Sequence, residues 1–139
     1  MEKKIVGYTT GVFDLFHIGH LNILERAKQN CDYLIVGVST DELVMEYKHK
    51  KPVICYEERK RIVEAIRYVD EVVPQIDRDK MAAYEKYKFD RMFVGDDWKG
   101  SELFTRLESE LAKHGAEIVY FPYTKGTSST FLKEVLKKI

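Results

Sequence analysis

Hydrophobic positions along the chain follow two alternating periods. Short, nearly unbroken apolar runs stand at Ile5–Thr10, Tyr33–Val38 (YLIVGV), Arg91–Gly95 (RMFVG) and Glu117–Phe121 (EIVYF), with a briefer one, Val72-Val73, inside Asp70–Pro74. Runs of this length with little polar alternation predict strands covered on both faces. Between them lie segments with helical spacing: His20–Asn30 (Leu21, Leu24, Ala27), Tyr56–Tyr68 with Ile62, Val63 and Ile66 on one side, Lys80–Lys88, Glu102–Lys113 stopped by Gly115, and Ser129–Lys138. Residues 45–55 are polar and basic and contain Pro52, so they read as a loop.

Strand and helix alternate from end to end. This predicts an α/β fold, a single Rossmann-like domain over residues 1–139, with a five-stranded parallel sheet and helices on both faces. In such sheets ligands sit at the carboxyl ends of the strands, near the point where strand order switches. No internal repeat, low-complexity tract or linker interrupts the pattern.

Lys plus Arg total 23 and Asp plus Glu total 23, so net charge is zero and a general nucleic-acid coat is excluded. Any anion site must be a local cluster. Cys31 and Cys55 lack metal-site spacing and are expected to be buried free thiols of a reducing compartment. Met1-Glu2-Lys3-Lys4 leads straight into the first strand, without the apolar stretch of a signal peptide, and no segment reaches membrane-span length. A cytoplasmic protein without a membrane partner is expected.

Candidate chemistry begins after the first strand, in Gly11-Val12-Phe13-Asp14-Leu15-Phe16-His17-Ile18-Gly19-His20. A helix start exposes unpaired N–H groups and a partial positive charge. Two imidazoles there add donors, and Gly19 leaves room for a phosphate to approach the backbone. A lone histidine pair could equally be structural or metal-binding, but a metal needs a third ligand, and His49 and His114 carry no motif. The full string G-x-F-D-x-x-H-x-G-H after a strand points to phosphate chemistry.

That string resembles the HxGH signature of the nucleotidyltransferase superfamily. Nearly the whole chain resembles the glycerol-3-phosphate cytidylyltransferase family, through GVFDLFHIGH at 11–20, ERAKQNCDYLIVGVSTDE at 25–42, lysines near 48–51, YEERKRIVEAIRYVDEVVP at 56–74, GDDW at 95–98 and TKGTSST at 124–130. The resemblance implies transfer of CMP from CTP to a phosphorylated alcohol, with Mg²⁺ carried mainly on the CTP phosphates and no metal site assigned to the protein itself. It also implies a homodimer, and CDP-glycerol made for a cell-surface polymer. Because an attacking phosphate is already anionic, catalysis reduces to positioning and charge stabilisation.

On this resemblance His17, His20 and Lys48 are catalytic. CTP falls to Gly11, Val12, Phe13, Asp14, Gly19, Asp41, Lys50 and the stretch Tyr123, Thr124, Lys125, Gly126, Thr127, Ser128, Ser129 and Thr130. The acceptor falls to Lys48, Arg59, Arg67, Lys80, Asp96 and Asp97. Read without it, Lys48, Lys50 and Lys51 are a solvated loop, and Arg59 and Arg67 pair with Glu58 or Glu64. Asp96 and Asp97 cap a turn or bind Mg²⁺, Asp14 orients the His17 region, and Asp41 caps a helix or touches ligand. Ser128, Ser129 and Thr130 serve as N-caps. The chain departs from the family pattern at Tyr123, where the family has Arg, with Lys125 two residues on, and at Val12, where glycerol-specific members have Thr. Three alternatives stay open: another phosphorylated acceptor, ATP in place of CTP, and a nucleotide-binding module without turnover.

Overall fold

The structure, a computed structural model, describes residues 4–122 and 129–138. Its elements run β1 (Val6–Gly11), α1 (Ile18–Gln29), β2 (Tyr33–Ser39), α2 (Asp41–Lys48), α3 (Tyr56–Glu64), β3 (Glu71–Gln75), α4 (Lys80–Tyr87), β4 (Arg91–Gly95), a 3-10 turn (Asp96–Trp98), α5 (Glu102–Ala112), β5 (Glu117–Phe121) and α6 (Ser129–Lys137). The five strands form one parallel sheet in the order β3-β2-β1-β4-β5. The order reverses between β1 and β4, so the crevice for a ligand opens beyond Gly11 and Gly95.

Period-two geometry sends alternate residues of β2 to opposite faces. Leu34, Val36 and Val38 pack with Leu24 and Ala27 of α1 and Val63 of α3. Ile35 joins Tyr8, Met92 and Phe89 beneath Phe104, Leu107 and Leu111 of α5. Both faces are therefore covered, as the unbroken YLIVGV run requires. Pro74, which cannot donate to a ladder, lies in β3 at the sheet edge. Asp70, from the RYVDEV segment, accepts the Leu34 N–H at 2.7 Å and pairs with Lys28 at 2.5 Å, which fixes the start of β2.

Four expectations are corrected here. Residues 45–55 are not all loop, because α2 continues to Lys48. Thr40 Oγ1 caps it by accepting from Leu43 N–H, burial of Leu43 and Val44 anchors it, and His49 ends it in the left-handed region at φ 59°. The helix expected over 56–68 stops at Glu64, where the Ala65 N–H turns back on Arg61 and Ile62 carbonyls. Ile62, expected on the buried side with Val63, is 43% exposed. Of the two thiols expected to be buried, Cys31 is half-buried and Cys55 is exposed.

Candidate active site

The two histidines occupy the N-cap and third positions of α1, and they cap each other. His17 is extended (φ −144°), and its Nδ1 accepts the Gly19 N–H at 3.0 Å. His20 Nδ1 reaches back to accept the His17 N–H at 3.2 Å. This is the reciprocal arrangement that a Ser-x-x-Glu capping box makes, built here from imidazoles. The rings lie 4.0 Å apart at 29°. In a neutral imidazole whose Nδ1 accepts, the proton sits on Nε2. The cap therefore fixes both tautomers and leaves two Nε2–H donors unspent on the helix.

Burial lowers the pKa of His17. Burial first, and then His17, push His20 down to about 4, against a smaller opposing pull from Asp14. Both rings are neutral donors at pH 7. Protonating Nδ1 would set an N–H against the amide it now accepts, so the cap and the neutral state support each other. For His20 the folded value lies below the unfolded one of 6.5, so its contribution to stability is complete above about pH 6.5 and is lost as pH falls through about 4.

The loop that delivers these rings is strained. Phe13 and Leu15 adopt left-handed φ of 54° and 51° without being glycine. Such residues each cost on the order of 1–3 kcal/mol and persist where the surroundings hold them. The Phe13 ring lies against the end of β1, and a Cβ on Gly11 would stand 2.9 Å from its Cε2. It also meets the His20 ring edge-on at 5.4 Å. Asp14, 2% exposed, accepts the amides of Val53 at 2.8 Å and Ile54 at 2.9 Å and pairs with Lys133 at 3.0 Å. Burial raises its pKa, but those two amides and the Lys133 ammonium outweigh it and hold the carboxyl below its ordinary value. Asp14 thereby ties the histidine loop to the lysine-bearing segment after α2.

Beside this loop lies a cavity of about 830 Å³ lined by His20, Val12, Phe13, Asp14, Lys48, Lys50, Lys51 and Lys133. Lys48 and Lys50, expected near the nucleotide phosphates, are thus gathered with the histidine motif. Burial and then the neighbouring Lys133 and Lys50 lower the pKa of Lys48. Five lysines line this cavity when Lys137 of α6 is included, a local positive field in a chain without net charge.

A second cavity of about 650 Å³ opens on the other side of β1, between β4 and α5. Thr10, Lys80, Arg78, Asp97 and Trp98 supply its polar rim, and Phe93, Leu107 and Phe121 are among its apolar walls. Lys80 donates to Thr10 Oγ1 at 3.3 Å. Burial, then Arg78, bring its pKa down to about 8, against a smaller opposing effect from Asp77. A largely buried ammonium to which no carboxylate among the described residues is hydrogen-bonded favours an incoming anion.

The residues expected to bind the acceptor are therefore divided. Lys48 faces the lysine-lined cavity, and Lys80 and Asp97 face the second one. Asp96 is exposed in the 3-10 turn and lines neither. Arg59 and Arg67 do not meet their expectation. Arg59 is 1% exposed, and its guanidinium donates to Ile54, Val12 and Ser39 carbonyls and to Asp41, all at 2.7–2.8 Å. Its donors are engaged within the protein. Arg67 is exposed, donates to Tyr68 Oη at 3.1 Å and lines neither cavity. Eight residues separate them, but the helix ends between the two.

Asp41, expected to cap a helix or touch ligand, accepts the Tyr56 N–H at the start of α3 and pairs with Arg59. Gly19, expected to offer its amide to phosphate, is buried and spends that amide on His17. Ser129 and Thr130 open α6. Tyr123, Thr124, Lys125, Gly126, Thr127 and Ser128 lie outside the described residues. Lys133 was not singled out in the sequence, where it is one lysine among several on an amphipathic helix.

Among the described residues no three His, Cys, Asp or Glu side chains converge on a metal site, and no helix is long and apolar enough to cross a membrane.

Neutral N–H donors and ammonium groups gathered at the carboxyl end of β1, where strand order switches, suit the transfer of a nucleotidyl group between phosphates, and the protein is a nucleotidyltransferase. More narrowly, the chain belongs to the cytidylyltransferase-like family, whose model matches residues 8–135. It is 44% identical over 133 residues to the glycerol-3-phosphate cytidylyltransferase of Bacillus subtilis, covering 95% of each chain. The Staphylococcus aureus enzyme of the same name is 40% identical over 135 residues, covering 96% of this chain and 95% of that one. Among solved structures, a lipopolysaccharide core biosynthesis protein from Thermoplasma volcanium superposes with a TM-score of 0.72 at 27% identity, over 90% of this chain and all of that one.

Proposed function

We propose that the chain, acting as one domain over residues 1–139, transfers CMP from CTP to glycerol 3-phosphate and yields CDP-glycerol and pyrophosphate. The observation that carries this reading is the mutual cap of His17 and His20, which leaves two neutral Nε2–H donors, with the His20 ring lining the lysine-bearing cavity and the His17 ring stacked on it. A phosphate oxygen of the acceptor attacks the α-phosphorus of CTP, and the charge that builds on the α-phosphoryl oxygens meets those donors. Lys48 and Lys50 neutralise the phosphates, while Lys80 attracts the acceptor phosphate and Asp97 accepts from acceptor hydroxyls.

Mg²⁺ travels with CTP: Asp14 already holds two amides and an ammonium, and lysines outnumber carboxylates around the cavity that would take the triphosphate. When bound, the ion neutralises charge on the phosphates. The names of the relatives support the acceptor assignment. The same reading makes the protein a cytoplasmic homodimer that feeds a cell-surface polymer, and exposed Ile62 offers an apolar contact for a second copy.

Pyrophosphate release measured across CTP, ATP, UTP and GTP, each with a panel of phosphorylated alcohols and sugars, should be fastest with CTP and glycerol 3-phosphate. A faster acceptor would redirect the substrate assignment, and no turnover with any pair would leave a binding module.

The acceptor's kcat/KM should fall as pH rises past about 8, because Lys80 then loses its proton. Lys80→Met should lower kcat/KM and remove that limb, whereas Lys80→Arg should move it to higher pH. A limb unchanged in Lys80→Met would exclude Lys80 from the acceptor site.

A further inference from the structure

Lys133 is the strongest unassigned feature near the site, and its reading rests on the reaction proposed above. It lies one turn into α6, after Ser129. Its Nζ is 3.0 Å from Asp14 Oδ2, and its side chain is 24% exposed. It lines the same cavity as His20, Lys48 and Lys50. It is also close enough that its charge lowers the pKa of Lys48. Asp14 offsets only part of this charge, since it also accepts the amides of Val53 and Ile54. Ammonium groups gathered around one cavity repel one another, and a polyvalent anion relieves that repulsion.

The reaction supplies such an anion. The bond from the acceptor's phosphate oxygen to the α-phosphorus forms, and the bond from that phosphorus to the α,β-bridging oxygen breaks. The electron pair stays on the bridging oxygen, which becomes a terminal oxygen of pyrophosphate, and no proton need move. His17 and His20 are neutral and suit the α-phosphoryl group, which stays with CMP. The departing group carries the greater charge and needs cations.

We infer that Lys133 holds the leaving pyrophosphate: its ammonium pairs with Asp14 and donates to the β- and γ-phosphoryl oxygens when nucleotide is bound. Charge-assisted hydrogen bonds of this kind are worth enough to shift affinity by about ten- to a hundredfold.

Inhibition of the full-length enzyme by inorganic pyrophosphate and by CMP separates the two ends of the nucleotide. Direct titration of both, at a temperature where circular dichroism shows each variant folded, provides a second readout. Lys133→Met should weaken pyrophosphate about ten- to a hundredfold and leave CMP unchanged, and Lys133→Arg should restore most of the loss. If Lys133→Met does not fold, Lys133→Gln removes the charge while keeping a donor for Asp14, and the same outcome is expected. Unchanged pyrophosphate affinity in a folded Met or Gln variant would overturn the inference. Equal weakening of pyrophosphate and CMP would overturn it too, because that pattern belongs to a structural ion pair. Either failure leaves wild-type turnover intact, whereas a wild-type enzyme that turns over no nucleotide–acceptor pair would remove the proposed reaction itself.

Discussion

Replacing His17 by alanine should lower kcat by about 10²–10³ while the protein stays folded. Two effects combine in this substitution and can be separated. The Nδ1 that accepts the Gly19 amide disappears, and losing an N-cap acceptor costs about 1 kcal/mol of stability. The Nε2–H that would meet the α-phosphoryl group disappears as well, and only that loss touches the transition state. Asparagine at position 17 is a good N-cap residue but cannot place a donor where the imidazole Nε2 stands. His17→Asn should therefore recover most of the melting temperature and little of the rate. Recovery of rate with stability would mean that the histidine acts only through the helix. Because burial lowers the pKa of both rings, the histidine-linked loss of rate should lie below the ordinary histidine range near 6.5, with the part due to His20 falling near pH 4.

The spacing of the motif was legible from sequence, but its reason was not. Two histidines three apart at a helix start read as two extra donors beside free amides. The folded chain shows that three is the N-cap-to-N3 distance, so each ring spends one nitrogen on the other's backbone or on Gly19. Element type and the covering of both sheet faces followed from period alone, because runs such as YLIVGV must be covered on both faces, whereas strand order is set by packing between distant segments. The edges of elements were less legible. Helix α2 was missed because its second half, Met45 to Lys48, is largely exposed, whereas the Leu43-Val44 pair that anchors it spans too little sequence to show a period. Lys133 and Asp14 lie more than a hundred residues apart, and nothing local signals their pairing.

Asp14 shows why the charged residues were harder to assign than the apolar ones. A carboxylate in a nucleotide loop suggests metal or ligand, yet its partners here include two amides and a lysine of the chain. Those bonds join the histidine loop, the segment after α2 and the last helix around one cavity. An activity loss in an Asp14 variant would then report positioning of three elements at once. Arg59 performs a parallel task on the inner side of the same segments, because its guanidinium links the carbonyl of Val12 in the histidine loop with Ile54 and with Ser39 at the end of β2.

That arrangement sets the largest stability effect expected in the molecule. Arg59→Ala should cost about 3–5 kcal/mol, because it leaves the buried Ser39 carbonyl and the part-buried carbonyls of Val12 and Ile54 without their donor and Asp41 without its cation. Against a total of about 5–15 kcal/mol, this is enough to leave the variant marginal at growth temperature. In urea, with a slope of about 1–3 kcal/mol/M, the midpoint should drop by at least about 1 M. Arg59→Lys keeps the charge but loses the planar fork that reaches four acceptors, so its midpoint should fall between wild type and alanine. A phosphate-binding arginine would behave in the opposite way: its removal would raise the acceptor KM and relieve, rather than create, an unpaired charge in the free enzyme. At a temperature low enough to keep Arg59→Lys folded, its acceptor KM should match wild type. An unmoved urea midpoint together with a raised acceptor KM would return Arg59 to the substrate site.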